Sequence, residues 1–358
     1  MSKYIISKAK LIENIELLKS KAGVPIIGVV KGNGYGFGIK EFAKILKDNG
    51  IKTFAVTEVT DIPELKSVLD DENDILVMRS TCIEKEAQII AENGCIATIG
   101  STKACEVMNS VSKKLGVKTK CHLKIDTGMG RYGFMPSEIS KAIECYKSEN
   151  LNFIGIYTHF SSAFRNEPLT KAQLVLFKDC ISQIEKAGYS VGTAHCANSP
   201  ALLNVEDVCM DSVRLGSAFT GRVITKRKTK LNRIGQLEAE VVDIKTVPAG
   251  YSVGYNGTYK TKHETKIAIV PIGHYDGFGL TKEKEIIDFH YVLSVFKKFL
   301  QKKQMYVRIN GRLYHVIGGI GLSHTAVDIT NSDVKCGDIA SVDISPLMVN
   351  PRIERIYK

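Results

Sequence analysis

Short apolar runs alternate with longer amphipathic stretches along roughly the first 220 residues. The runs are IIGVV (26–30), FAVT (54–57), ILVM (75–78), IATIG (96–100), CHLKID (121–126), FIGIYTHF (153–160), VGTAHC (191–196) and SVRLG (212–216). Several are uninterrupted rather than alternating, the pattern of strands buried on both faces. Between them, EFAKILKDNG and LVLFKDCISQIEKAG carry apolar residues at helical spacing and end on Gly50 and Gly188, where a helix-terminating glycine belongs. Eight such strands with helical crossovers, mostly about 20–35 residues apart, predict an α/β fold of the (β/α)8 TIM-barrel type. An open doubly wound parallel sheet is the competing arrangement.

After Arg222 the texture changes. The segment KRKTKLNRIG is a basic, polar connector, and LEAEVVDI, KIAIVPIG, MYVRING, LYHVIGGIG, TAVDIT and DIASVDI follow, separated by glycines and asparagines. They predict a mostly-β second domain, so the expected division is 1–222 and 223–358. One stretch, 283–303, has helical spacing with charged ends and is expected to be an inserted helix. The opening MSKYIISKAKLIENIELLKS reads as a strand running into a helix rather than a signal peptide, with its first residues able to pack on the second domain.

Composition narrows the function classes. The 358 residues are 44% apolar and 24% charged, a globular composition. No apolar run approaches the ~18–20 residues that span a bilayer, so a cytoplasmic protein without membrane contact is expected. The nine cysteines (82, 95, 105, 121, 145, 180, 196, 209 and 336) form no CxxC pair, which argues against a disulfide framework or a thiolate metal site. The net charge of +11 is spread along the chain. Its densest runs, Lys226-Arg227-Lys228 with Lys230 and Lys297-Lys298 with Lys302-Lys303, lack the interleaved aromatics of a nucleic-acid surface. Solvated faces, or attraction of small anions, account for them better.

The candidate chemistry gathers where the barrel strands end, the rim on which βα loops converge. Lys31 closes the first strand before GNGYGFG; Lys124 and Asp126 lead into TGMGR and Arg131. His159 closes the sixth strand, Ser199 follows the seventh in HCANS, and Arg214 lies on the eighth. Taken singly, each has a plain reading: a solvated lysine, a core histidine, a flexible glycine loop. Their convergence on one rim is what singles them out. A lysine buried among apolar strands becomes a nucleophilic amine suited to a Schiff base. Backbone amides after strands seven and eight suit a phosphate, and an arginine and a histidine suit the ring of pyridoxal phosphate.

VVKGNGYGFG, CHLKIDTGMGRYGF, YTHF, HCANSPAL and VRLGSAFTGR, followed by SVGYNGTYKT and VPIGHYDGF, resemble the ordered motifs of the alanine racemase family, the fold-type III pyridoxal-phosphate enzymes. The resemblance covers essentially the whole chain. It implies pyridoxal 5′-phosphate as cofactor, an amino acid as substrate, and a homodimer. Lys31 would carry the cofactor and act as one acid/base, and Tyr255 would be the second, reaching the site from the other subunit. Tyr35, Ser199, Gly216 and Ser217 would hold the phosphate, His159 would lie against the ring, and Arg214 would face the pyridine nitrogen. Arg131 would orient the cofactor phenolate and the substrate carboxylate, with Lys124 at the position of the lysine that is often carbamylated to hold that arginine.

The second half departs from the pattern. His274 stands where the family usually has a tyrosine, Leu322-Ser323 where it has a methionine-aspartate pair near the substrate, and Pro351 roughly where a tyrosine narrows the entrance. These positions bear on the substrate rather than the reaction. Alanine is the expected substrate, and serine or a broader range is the alternative. A decarboxylase or aldolase on the same architecture fits less well, because Arg214 and the tyrosine motif argue against it. A non-catalytic cofactor carrier leaves residues 223–358 without a purpose.

Overall fold

The computed structural model describes residues 2–226, 228–257, 259–280 and 304–358. The helix expected at 283–303 lies outside the described residues. The chain divides into two compact units, Lys8–Ile234 and Met1–Ser7 with Gly235–Lys358.

The unit Lys8–Ile234 is built on eight parallel strands. After β1 (Lys3–Ile6), which belongs to the other unit, they are β2 (Ile26–Val29), β3 (Thr53–Val56), β4 (Asp74–Val77), β5 (Ala97–Ile99), β6 (Thr119–Lys124), β7 (Leu151–Tyr157), β8 (Thr193–Asn198) and β9 (Ser212–Leu215). Their order is β4-β3-β2-β9-β8-β7-β6-β5. A bridge between Leu76 and Ile96, with Val77 N–H donating to Ile96 O at 2.9 Å, brings the two ends of the ladder together. Every run read from the sequence became one of these strands, and their buried faces explain why. All four residues of β2 are buried, and Ile27, Val29, Ala55, Leu76 and Ile96 form an inner cluster. The helices Ile39–Asp48 and Glu167–Lys186 end before Gly50 and Gly188, whose φ values of 83° and 89° let the chain turn back.

The other unit is a nine-stranded sheet beside a two-stranded one. After β1 its strands are β10 (Gly235–Glu240), β11 (Asp243–Val247), β14 (Thr265–Val270), β15 (Tyr306–Ile309), β16 (Arg312–Ile320), β17 (Thr325–Asp328), β18 (Ile339–Val342) and β19 (Arg355–Tyr357), in the order β11-β14-β17-β16-β15-β18-β10-β1-β19. The small pair is β12 (Ser252–Val253) and β13 (Tyr259–Lys260).

Two sequence expectations shift. LEAEVVDI is two strands, not one: Val241 N–H donates to Asp338 O and Val242 N–H to Ile269 O, so the chain leaves one neighbour for another between β10 and β11. The division falls at Ile234 rather than after Arg222, because Asn14 accepts from Asn232 N–H and donates to Asn232 O, each at 2.8 Å, tying the connector to the helix Lys8–Ala22. Residues of β1 pair with β10 and β19, across more than 200 residues of sequence.

Candidate active site

At the carboxyl ends of the barrel strands lies a cavity of about 450 Å³ lined by Lys31, Tyr35, Lys124, Arg131, His159, Ser199, Arg214, Gly216 and Ser217. All the rim residues singled out in the first unit except Asp126 line it, with Glu58, Met78, Arg79, Met129, Tyr132, Tyr157, Phe164 and Asn198 added.

Lys31 follows the buried β2 after a single residue, Val30. Behind it, Gly32, Asn33, Gly34 and Tyr35 all take left-handed φ values, from 52° to 63°. That path is natural for glycine and costly for a tyrosine. Backbone bonds from Gly34 to Val30 O and from Gly36 to Gly32 O close it, and the Asn33 side chain accepts from Ile39 N–H at 2.8 Å. The tight turn lets Tyr35 reach Ser217 N–H, while burial pushes its hydroxyl up to about 12.

Ser199 begins a short helix after β8. Its hydroxyl accepts from Gly216 N–H at 3.1 Å and Ala218 N–H at 3.3 Å. Three successive amides, 216 to 218, therefore converge on this corner of the cavity. Gly216 is required there, since a Cβ on it would lie 2.1 Å from the Tyr35 hydroxyl.

Arg214 is almost wholly buried. Its Nη1 donates to His195 Nδ1 at 2.7 Å, its Nη2 donates to Thr158 O at 2.6 Å, and its guanidinium carbon lies 4.9 Å from the centre of the Tyr157 ring. Its Nη2 lies 3.4 Å from His159 Nδ1. Burial, then the charge of Arg214, holds His159 well below the ordinary imidazole range, so His159 is neutral.

Cations crowd the same wall. Burial first, then Arg131 and Arg214, lowers the Lys31 amine. Burial and the same arginines bring Lys124 down to about 7, and its Nζ sits 5.0 Å from the centre of the Tyr157 ring and 5.4 Å from that of Tyr132. Glu58 is the one carboxylate among the cavity residues, and it is paired with Arg79 at 3.2 Å. The arrangement calls for an anionic ligand.

A sequence profile described as "Alanine racemase, N-terminal domain" matches residues 6–224, and its C-terminal counterpart matches 234–346. The chain belongs to the alanine racemase family. It is 30% identical over 321 residues to the alanine racemase of Clostridium perfringens, covering 87% of this chain and 78% of that one. The alanine racemase structure from Clostridium difficile 630 superposes with a TM-score of 0.86 at 26% identity, over 100% of this chain and 95% of that chain. An alanine racemase from Bartonella henselae, described with covalently bound pyridoxal phosphate, shares the fold at a TM-score of 0.81 and 24% identity, over 100% and 99% of the two chains.

The remaining residues expected from the racemase resemblance lie in the C-terminal unit. Tyr255, Leu322 and Ser323 line one cavity of about 390 Å³ with Gly254, Gly318 and His324. Tyr255 starts a single 3-10 turn and is 78% exposed. Two glycines make this turn: a Cβ on Gly254 would lie 1.8 Å from Gly318 O, and Gly318 has φ 70° beside a register shift in β16. The Nδ1 of His274 lies 2.9 Å from Phe278 O, while Pro351 O accepts from Arg355.

Sequence reasoning passed over Asn198, whose carboxamide lies between the Phe160 carbonyl and His159 and also caps the Ser199 helix. It also passed over His122 and His195, although their inward-facing positions on β6 and β8 were a readable signal. Among the described residues no cluster of His, Cys, Asp and Glu suits a metal, and no helix is long and apolar enough to cross a membrane.

Proposed function

We propose that this chain is a pyridoxal 5′-phosphate-dependent alanine racemase, an isomerase that interconverts L- and D-alanine. The observation that carries the reading is the cavity at the carboxyl ends of the barrel strands that gathers Lys31, Arg131, His159, Arg214 and the Ser199–Gly216–Ser217 corner. The donor set fits the cofactor. Three backbone amides and the hydroxyls of Tyr35 and Ser199 suit a phosphate, and the bare Cα of Gly216 gives the Tyr35 hydroxyl its room beside them. The names of the relatives favour alanine over larger substrates, and the Bartonella protein's covalently bound group supports pyridoxal phosphate as the cofactor.

When bound, the cofactor supplies an electron sink that acidifies the substrate's Cα–H. The chain's own groups do the rest. Lys31, with its amine lowered by burial and by Arg131 and Arg214, is neutral more often than an ordinary lysine and so able to take a proton from Cα. Tyr255 is the second acid/base, because inversion needs a proton removed from one face and returned to the other. Arg214 has only donors, so it holds a pyridine nitrogen unprotonated rather than charging it. Arg131 would supply the positive charge that orients a substrate carboxylate, and the neutral His159 would pack against the ring when the cofactor is bound.

The active assembly is a homodimer in which each barrel cavity takes Tyr255 from the partner chain. The exposure of Tyr255 supports this, since an acid/base so open to water needs a covering surface to work in a dry site. The nine free cysteines support a cytoplasmic location.

Protein loaded with cofactor and incubated with either alanine enantiomer should drift to an equal mixture on chiral chromatography, and borohydride reduction should fix the cofactor on Lys31. Fully loaded protein that leaves both enantiomers unchanged would overturn the activity, and a label on another lysine the site. Lys31→Ala and Tyr255→Phe chains mixed under conditions of subunit exchange should recover part of the activity. No recovery despite proven exchange counts against the shared site.

A further inference from the structure

Two histidines lie one behind the other inside the barrel, and the mechanism above uses neither. His195 on β8 and His122 on β6 are both buried, with His195 Nε2 2.9 Å from His122 Nδ1. On the rim side, Arg214 Nη1 lies 2.7 Å from His195 Nδ1 and donates to the His195 carbonyl at 3.0 Å.

The direction of every bond in this chain follows from its first member. A guanidinium carries N–H groups only, so His195 Nδ1 must present a bare lone pair. The proton of a neutral His195 is then on Nε2, which donates to His122 Nδ1. That nitrogen must be bare in turn, and the proton of His122 sits on Nε2. Burial, then the Arg214 charge, keeps both rings neutral, with His122 at about 4. A second proton on either ring would set two donors against each other.

The surroundings leave these rings one orientation. His195 stacks on Tyr157 with centroids 4.9 Å apart and planes 6° from parallel, and Arg214 lies over the same Tyr157. The Tyr157 hydroxyl is tied to Thr98 and to the Met78 carbonyl, each at 2.9 Å. His122 covers Gly155, where a Cβ would lie 2.5 Å from Nε2. Beyond it is a second cavity at the amino ends of the strands, lined by His122 with Asp74, Asp211 and Ser212.

We infer that His122 is a positioning residue for Arg214: by accepting from His195 Nε2 it locks the His195 tautomer, and that tautomer aims the guanidinium. With the other tautomer, an Nδ1–H would confront Nη1, and the arginine would turn away. The consequence for catalysis rests on the reading of Arg214 as the partner of the cofactor's pyridine nitrogen. The tautomer lock itself does not.

The test uses full-length protein labelled with 15N-histidine, with and without cofactor. In cofactor-free wild type, the His195 resonances should report a bare Nδ1 and a protonated Nε2, and His122 the same pattern. His122→Phe removes the acceptor and should give His195 mixed tautomers. In the loaded enzyme it should lower kcat about 10–100-fold, by analogy with the loss when the outer hydrogen-bond partner of a metal-bound imidazole is removed, with KM little changed. His122→Asn offers a carbonyl to the same Nε2–H and should restore both the tautomer and most of kcat. A proton on His195 Nδ1 in wild type overturns the inference, and this reading needs no variant to fold. So does a His122→Phe protein with unchanged His195 signals or unchanged kcat, or a His122→Asn protein no better than His122→Phe. If the tautomers are as stated but wild type racemises nothing, the functional reading fails and the lock stands.

Discussion

The carboxylate of Asp126 holds the backbone of Arg131: Oδ2 accepts from Arg131 N–H at 2.8 Å, while Oδ1 accepts from Gly128, Met129 and Gly130. Four amides of one loop thus close on one side chain, and the last of them carries a cavity arginine. Gly133 completes the turn with φ 121°, where a Cβ would lie 2.6 Å from Asp126 N.

Asp126→Asn should therefore act on substrate binding. An asparagine keeps one acceptor oxygen but turns an NH2 toward the amides, so at least one bond to a charged acceptor is lost, worth about 1.5–3 kcal/mol. KM for alanine should rise more than kcat falls, because Arg131 is the proposed carboxylate anchor. An unchanged KM would remove Asp126 from that role. Burial alone would raise this carboxyl, but the four amides outweigh it and leave it below the ordinary range. Its contribution to stability is present above the unfolded carboxylate value and is lost as pH falls through the lower folded one. Melting curves of wild type should lose this increment in acid, and those of Asp126→Asn should not.

Lys124 reports in the same direction over a higher pH window. The folded chain holds this amine at about 7 against 10.5 for an ordinary lysine. Between those values unfolding takes up a proton, so stability rises with pH across that window and this residue contributes no slope below it. In CO2-free buffer, Lys124→Met should flatten the rise in melting temperature between pH 7 and 9. A neutral amine beside two arginines also suits addition to CO2, giving a carbamate and releasing a proton. Wild type in 13C-bicarbonate should show a carbamate carbon signal that Lys124→Met lacks, and its absence from wild type would end the carbamate reading.

Gly216→Ala tests the phosphate corner. The new methyl meets the Tyr35 hydroxyl at 2.1 Å and its ring at 2.6 Å, and overpacking of this kind typically costs about 1–3 kcal/mol. Because Tyr35 and Gly216 both line the cavity, the loss should appear as weaker cofactor binding in a spectroscopic titration, by tenfold or more. A variant that binds the cofactor as tightly as wild type would mean that this corner does not receive the phosphate.

Tyr255→Phe separates the two faces of Cα. Racemisation should fall by about 10²–10⁴-fold, the usual cost of a missing acid/base. Lys31 should still exchange the α-proton of one enantiomer with deuterated solvent, and the family resemblance assigns that enantiomer as D-alanine. Equal exchange of both enantiomers by a folded, cofactor-loaded variant would refute the two-base reading.

The legible part of this protein is its locally coded part. Short apolar runs marked all eight barrel strands, because a strand covered on both faces leaves few polar positions, and Gly50 and Gly188 marked helix ends because only a left-handed residue turns there. Lys31, Arg131, His159, Ser199 and Arg214 were readable as rim residues because a parallel barrel puts every strand's carboxyl end on one side. Tertiary structure decided what depends on partners remote in sequence. The break inside LEAEVVDI exists because Val241 and Val242 bond to different strands, and β1 joins β10 and β19 although nothing in KYII names them. Asp126 looked like any aspartate before a glycine loop until four amides were found on it. His122 and His195 went unread, because only the folded contact with Arg214 gives their hydrogen bonds a direction. Burial pattern is a property of each segment and survives in its sequence, whereas a hydrogen bond belongs to a pair, and the pair exists only once the chain has folded.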